Sequence, residues 1–182
     1  MARAILGLGG NLPGVDGSPP RTTLEAALER LGRAGVRIAA VSPWYESAPV
    51  PPSDQPWYVN AVALIDTDLD PASLMNLLQE IEESLGRRRR ARNEARSIDL
   101  DLIAYGDVIN LGPEAPLLPH PRLAGRAFVL RPLADLLPDW RHPRTGKTVR
   151  RMMAELPPNQ ALRRMDIGPK TPRNLGPGRE TT

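Results

Sequence analysis

The chain has 182 residues, 41% of them hydrophobic and 25% charged, with a formal net charge of +3, two histidines and no cysteine. That is about one domain's length, and it excludes disulfides, thiolate metal sites and cysteine nucleophiles. The charge is uneven, with six Arg against one Glu over residues 87–96 and a net +3 from Pro157 to the end, leaving −5 elsewhere, which points to a local anion site and away from a nucleic-acid-coated surface.

Arg3 to Gly9 reads as a buried first strand. Gly9-Gly10-Asn11 breaks the apolar run too early for a signal-peptide core, and no run approaches the roughly 20 residues of a membrane span. A soluble cytoplasmic chain is expected. Thr22-x-x-Glu25 has the spacing of a capping box ahead of Leu24, Ala27, Leu28 and Leu31, with Gly32 and Gly35 ending that helix. Val36 to Tyr45 alternates as a strand, and Pro49, Pro51, Pro52 and Pro56 stiffen the loop that follows. Trp57 to Asp66 is strand-like. Asp70-Pro71 then supplies an N-cap and a proline at the first helical turn for a helix through Leu74, Leu77, Leu78, Ile81 and Leu85, stopped by Gly86.

After the Arg-rich loop, Ser97 to Tyr105 (SIDLDLIAY) has period two. Val108 to Asn110 is extended, Ala124 to Leu137 is partly helical, and Thr148 caps a last short helix to Leu156. One domain is expected over residues 1–156, followed by a Pro-, Gly- and Arg-rich tail, 157–182, that lacks an apolar face and is expected to be disordered. The order β-α-β-β-α-β is that of an α+β, ferredoxin-like fold, an antiparallel sheet with two helices on one face plus C-terminal additions. That fold hosts many functions, so the site must decide.

Two lookalike nucleotide motifs fail. Gly7-Leu8-Gly9-Gly10-Asn11-Leu12 lacks the third glycine of a dinucleotide fingerprint, and Arg141 stands where a phosphate loop ending in Gly146-Lys147-Thr148 needs its first glycine. Arg96-Ser97-Ile98-Asp99-Leu100-Asp101-Leu102 is more informative. In a strand Asp99 and Asp101 share a face about 7 Å apart while Ile98, Leu100 and Leu102 face the core. Either the two acids are a solvated face, or they are hard oxygen ligands suited to Mg²⁺ carried with phosphates. The adjacent arginines, whose forks match phosphate oxygens, favour the second. The loop over residues 87–92 is open to two readings, a lid over a polyphosphate or a solvated or RNA-contacting loop. His120 is held between Pro119 and Pro121, with Arg122 and Arg126 near it in sequence. Tyr58 and Phe128 are candidates to stack a flat heterocycle or are ordinary packing, and Asn60 offers a donor and an acceptor to such a ring's edge. The competing function is a ferredoxin-like RNA-binding module using the Arg loop and the basic tail. Seven aromatic residues in all and no RNP1-like segment weigh against it.

Five motifs in one order resemble the 6-hydroxymethyl-7,8-dihydropterin pyrophosphokinase family, over roughly Ile5 to Leu156. They are Gly9-Gly10-Asn11-Leu12; Ser42-x-x-Tyr45-Glu46-Ser47-x-Pro49; Gln55-Pro56-x-Tyr58-x-Asn60-Ala61-Val62; Arg96-x-x-Asp99-Leu100-Asp101-Leu102; and Pro119-His120-Pro121-x-Leu123-x-x-Arg126-x-Phe128-Val129-Leu130-x-Pro132-Leu133. The resemblance implies pyrophosphate transfer from MgATP to the pterin's hydroxymethyl oxygen with release of AMP, in folate biosynthesis. It implies that Asp99 and Asp101 hold two Mg²⁺ ions and that Arg96, His120 and Arg126 contact phosphates. Arg87 and Arg89 match cations of a mobile catalytic loop, and Glu82 an acidic position near the nucleotide. The pterin is expected to stack between Tyr58 and Phe128, with Asn60 and the backbone of Ser47 and Val50 reading its polar edge. ATP and the pterin are the expected partners of a monomer, with no nucleic acid and no membrane. One departure stands out: Asn93-Glu94-Ala95 replaces the Trp-Gly-Pro common in the family.

Overall fold

In the computed structural model, which describes residues 1–87 and 95–165, the first strand β1 (Ala2–Gly10) lies between β4 (Tyr58–Thr67) and β5 (Asp99–Tyr105). The other edge of β4 takes two short strands in succession, β2 (Arg37–Val41) and β3 (Tyr45–Ser47). Every pairing is antiparallel. Helices α1 (Pro20–Arg33) and α2 (Pro71–Ser84) connect these strands in ferredoxin-like order. Helices α3 (Ala127–Leu136) and α4 (Val149–Ala154) follow.

The sheet is covered on both faces, and β4 shows it most plainly. Ala61, Ala63 and Ile65 join a cluster with Leu24 and Leu31 of α1 and Leu74 and Leu78 of α2. Val62 and Leu64 join a second cluster with Val129, Leu130 and Leu133 of α3 and Met152 of α4. A strand buried on both sides reads as a continuous apolar run, as WYVNAVALID does. None of the helices among the described residues is long and apolar enough to cross a membrane.

Local chemistry sets most boundaries. Asp70 caps α2 by accepting from Ala72 and Ser73 backbone N–H groups at 2.9 and 3.0 Å, and Gly86, at φ +87°, takes the left-handed turn after it. Thr148 caps α4 through Arg151 N–H at 3.2 Å. The expected capping box of α1 is overturned. That helix starts at Pro20, whose fixed φ suits a first turn, without a side-chain cap, and Glu25 instead pairs with Arg21 at 2.9 Å. The single strand expected over 36–45 is divided because Pro43 has no N–H for the ladder. Next to it, Ser42 turns inward and its hydroxyl accepts Val62 N–H at 2.9 Å. Val108 to Asn110 contributes only a bridge from Asn110 to Leu118.

The tail departs from expectation at its start. Leu162–Arg164 forms a sixth strand, β6, on the free edge of β3. Its side chains are half-buried or exposed, so backbone pairing holds it, and composition carries no signal of that. Residues 166–182 lie outside the described residues.

Candidate active site

Strand β5 is the spine of the site. Asp99 and Asp101 are half-buried on one face while Leu100 and Leu102 are buried on the other. Each carboxylate has its own cations. Arg96 Nη1 lies 2.9 Å and Arg87 Nη1 3.1 Å from Asp99, and Arg126 Nη1 lies 3.2 Å from Asp101, with His120 Nε2 at 3.9 Å. Burial, reinforced by repulsion from Asp101, pushes the Asp99 carboxyl above its ordinary range, against the pull of Arg96 and Arg87. Burial likewise lowers His120 below an ordinary imidazole. Arg122 N–H donates to His120 Nδ1 at 3.1 Å, so the proton of the neutral ring sits on Nε2, the nitrogen turned towards Asp101.

A cavity of about 530 Å³ opens beside these groups, within the range of small-molecule sites. Asp99, Asp101, Arg96 and Arg126 line it together with Ser47, Val50, Tyr58, Asn60 and Phe128. Both amide hydrogens of Asn60 are engaged within the protein, since its Nδ2 donates to Ser47 Oγ at 2.8 Å and to Tyr58 O at 3.3 Å. Its carbonyl oxygen is therefore what it offers a ligand. Arg126 Cζ stacks 5.5 Å from the centre of the Phe128 ring, joining the cationic and aromatic parts of the wall.

Of the residues expected at the site, Glu82 and Arg87 brace the strand and are not part of the cavity lining among the described residues. Glu82 is 4% exposed on α2, pairs with Arg87, and accepts Leu100 N–H, between the two aspartates, at 2.6 Å. Burial pushes its carboxyl up, with Arg87 and the Leu100 amide opposing. Arg89 and the departure at 93–94 lie outside the described residues.

Asn11 is the residue whose part sequence reasoning missed. It is 3% exposed. Its backbone N–H and that of Leu12 both donate to Arg96 O, at 2.8 and 3.1 Å, and its Oδ1 accepts Arg96 N–H at 2.8 Å. Its Nδ2 donates to Gln55 Oε1 at 3.3 Å and Pro56 O at 3.0 Å, while the Tyr58 hydroxyl also donates to Gln55 Oε1, at 3.1 Å. Asn11 thus ties the entry of β5 to the loop before Tyr58. The sequence marks Asn11 only as part of the motif Gly9-Gly10-Asn11-Leu12 at the end of β1, without a role for its side chain.

The two carboxylates fit a metal carried by substrate better than a resident one. Among the described residues no group of three or more Asp, Glu or His side chains converges to hold an ion. Mg²⁺ commonly takes one or two carboxylates and completes its shell with water and phosphate oxygens.

The profile of the 7,8-dihydro-6-hydroxymethylpterin-pyrophosphokinase family matches residues 5–138. A 2-amino-4-hydroxy-6-hydroxymethyldihydropteridine pyrophosphokinase of Pseudomonas aeruginosa is 42% identical over 158 residues, covering 86% of this chain and 93% of the relative. One of Methylorubrum extorquens is 39% identical over 160 residues, covering 87% and 96%. Among solved structures, wild-type Plasmodium falciparum HPPK-DHPS superposes with a TM-score of 0.63 at 16% identity, over 85% of this chain. This chain spans 41% of that larger protein, and the likeness at that identity concerns the fold.

Proposed function

From the premise that this chain belongs to the 7,8-dihydro-6-hydroxymethylpterin-pyrophosphokinase family, we propose that it transfers pyrophosphate from MgATP to the hydroxymethyl group of 6-hydroxymethyl-7,8-dihydropterin, releasing AMP, in folate biosynthesis. The observation that carries this reading is one cavity with two unlike halves. An acid pair backed by arginines lies at one side, and Tyr58, Phe128 and the carbonyl oxygen of Asn60 at the other.

The hydroxymethyl oxygen attacks the β-phosphorus and releases its proton to solvent, the bond from that phosphorus to the bridging oxygen of the α-phosphate breaks, and AMP leaves with that oxygen. Tyr58 and Phe128 sandwich the pterin, and Asn60 with the backbone of Ser47 and Val50 reads its polar edge, which aims the hydroxyl in line. Asp99 and Asp101 would hold two Mg²⁺ ions with the triphosphate, whose charge those ions would neutralise. Arg96, Arg126 and the Nε2–H of His120 meet phosphate oxygens, where negative charge gathers as AMP departs. Arg87 and Arg89 bring further cations from the Arg-rich segment. His120 acts here as a hydrogen-bond donor, since its other nitrogen is occupied as an acceptor.

The RNA-binding alternative is disfavoured because helices pack on both faces of the sheet, the surface on which such modules stack bases. Incubation with the pterin, ATP and Mg²⁺, with the nucleotide products separated, tests the proposal. Pterin-dependent AMP is expected, lost in Asp99→Ala and Asp101→Ala with the fold retained. ADP in place of AMP refutes the transfer, and near-normal rates in both variants refute the metal assignment.

A further inference from the structure

We propose that Gln160 is a positioning residue for the pterin and phosphate contacts, acting as a helix cap supplied from 33 residues downstream. This deepens the reading above and rests on it. Helix α3 begins immediately after Arg126, whose guanidinium has no acceptor to offer the helix N–H groups and points at Asp101. A helix start leaves backbone N–H groups without partners, and an oxygen from elsewhere must meet them. Gln160 Oε1 accepts from Ala127 N–H at 2.9 Å, and its Nε2 donates to Gly125 O at 2.9 Å. The one side chain therefore grips the backbone on both sides of Arg126 and next to Phe128, and it lines the same cavity.

The grip is useful because Gln160 is itself anchored. Ala161 O accepts Ala48 N–H at 3.0 Å, β6 pairs with β3, and Met165 N–H donates to Trp44 O at 2.9 Å. Arg163 adds an ion pair to Glu46 at 2.5 Å and stacks 4.9 Å from the centre of the Trp57 ring. Strand β3 carries Ser47 and leads to Val50, on the opposite wall. The segment after α4 is thus a strap joining the β3 wall to the Arg126–Phe128 wall, with Gln160 as its contact to the second. Residues 139–165 lie past the family match, which ends at 138, so the strap and Gln160 belong to the part of the chain that the family profile does not describe, while both walls it joins lie within the match.

The body of α3 is held independently by Val129, Leu130 and Leu133 in the second core cluster. Loss of the cap should therefore shift the turn without unfolding the helix, and the effect should appear in substrate constants. The test uses the full chain with Gln160→Met, of similar length and unable to make either bond, and Gln160→Glu, which keeps an acceptor for Ala127 N–H. Pterin-dependent AMP release is measured while each substrate is varied, alongside Tm and calorimetric titration with the pterin. The pterin KM of Gln160→Met should rise about five- to tenfold, the scale of one lost cap, with a parallel rise in the pterin Kd. Gln160→Glu should fall between that variant and the unaltered chain. KM does not depend on how much enzyme is folded, so a lower Tm with unchanged KM and Kd overturns the proposal as merely structural. So do values for both variants within about twofold of the unaltered chain. If the unaltered chain binds pterin without releasing AMP, the transfer reading fails while the Kd values still decide Gln160. If it does neither, both fall together.

Discussion

Replacing Asn11 by Ala removes three side-chain hydrogen bonds from a residue that is 3% exposed. Two of them satisfy backbone groups, Arg96 N–H and Pro56 O, for which the variant supplies no substitute. A net contribution of about 1 kcal/mol per bond gives a loss of about 3 kcal/mol, or about 6–12 °C in Tm for a chain of this size. Asn11→Asp separates the contributions. It keeps an acceptor for Arg96 N–H but sets a carboxylate against Pro56 O and Gln55 Oε1, so it should be no more stable than Asn11→Ala while holding Arg96 closer to its place. Urea unfolding followed by far-ultraviolet circular dichroism measures the first effect, and the m-value should stay constant. Turnover measures the second: both variants should lose pterin-dependent AMP release, Asn11→Ala the more. A stability loss under about 1 kcal/mol in Asn11→Ala would show that water replaces these bonds and that Asn11 does not organise the site.

Three further outcomes follow from the same geometry. Glu82→Ala leaves the buried Leu100 N–H and Arg87 without their shared partner, and should cost about 3–5 kcal/mol in urea unfolding; Glu82→Gln keeps the acceptor and should recover at least 1 kcal/mol of that, and equal losses would refute the role of the Leu100 bond. At position 120, Gln places an amide nitrogen near that of Nε2 and Asn near that of Nδ1, so His120→Gln should retain more AMP release than His120→Asn, and the reverse order would overturn the assigned tautomer. His142 is 8% exposed, and its Nδ1 accepts from Arg144 and Thr145 N–H groups at 3.2 and 3.3 Å; burial lowers its pKa from the ordinary 6.5. The unfolded chain therefore binds the proton first, and the contribution of His142 is complete above about pH 6.5 and declines as pH falls from there through the folded-state pKa. The Tm of His142→Asn should fall less than that of the unaltered chain between pH 7 and pH 5, and parallel curves would exclude His142 as the source.

Elements whose boundaries rest on local chemistry were legible in the sequence. Asp70-Pro71 and Thr148 cap where their residue types predict, and the period of SIDLDLIAY places Asp99 and Asp101 together on one face of β5. What escaped depends on contacts distant in sequence. The capping-box spacing at Thr22 gave way because Pro20 already starts α1. Glu82 is charged in the sequence, yet in the fold it is a buried brace under Leu100, 18 residues away. The strand at Leu162–Arg164 carries no apolar pattern, because its partner is the backbone of β3, about 117 residues earlier in the Glu46–Arg163 pair. Of the residues expected to meet the ligands, Arg96, Arg126, Tyr58, Asn60, Phe128, Ser47, Val50 and both aspartates line one cavity. His120 and Arg87 reach it through the aspartates they face.

The charge arithmetic of the site explains why an arginine run adjoins an otherwise acidic body. Around β5, Arg87, Arg96, Arg122 and Arg126 stand against Glu82, Asp99 and Asp101, close to balance. The pairs among them offset the repulsion that two carboxylates on one strand face would otherwise impose. A balanced cluster holds its own shape but has little net attraction for a triphosphate. Residues 88–94 carry four further Arg against one Glu in the sequence. Interactions between exposed charges are screened over about 10 Å at 0.1 M salt, whereas the partly buried pairs around β5 are screened much less. Under the proposed transfer, salt should leave the pairs around β5 in place and weaken the long-range attraction of a triphosphate, so kinetics at rising ionic strength should show the KM for ATP increasing more than that for the uncharged pterin.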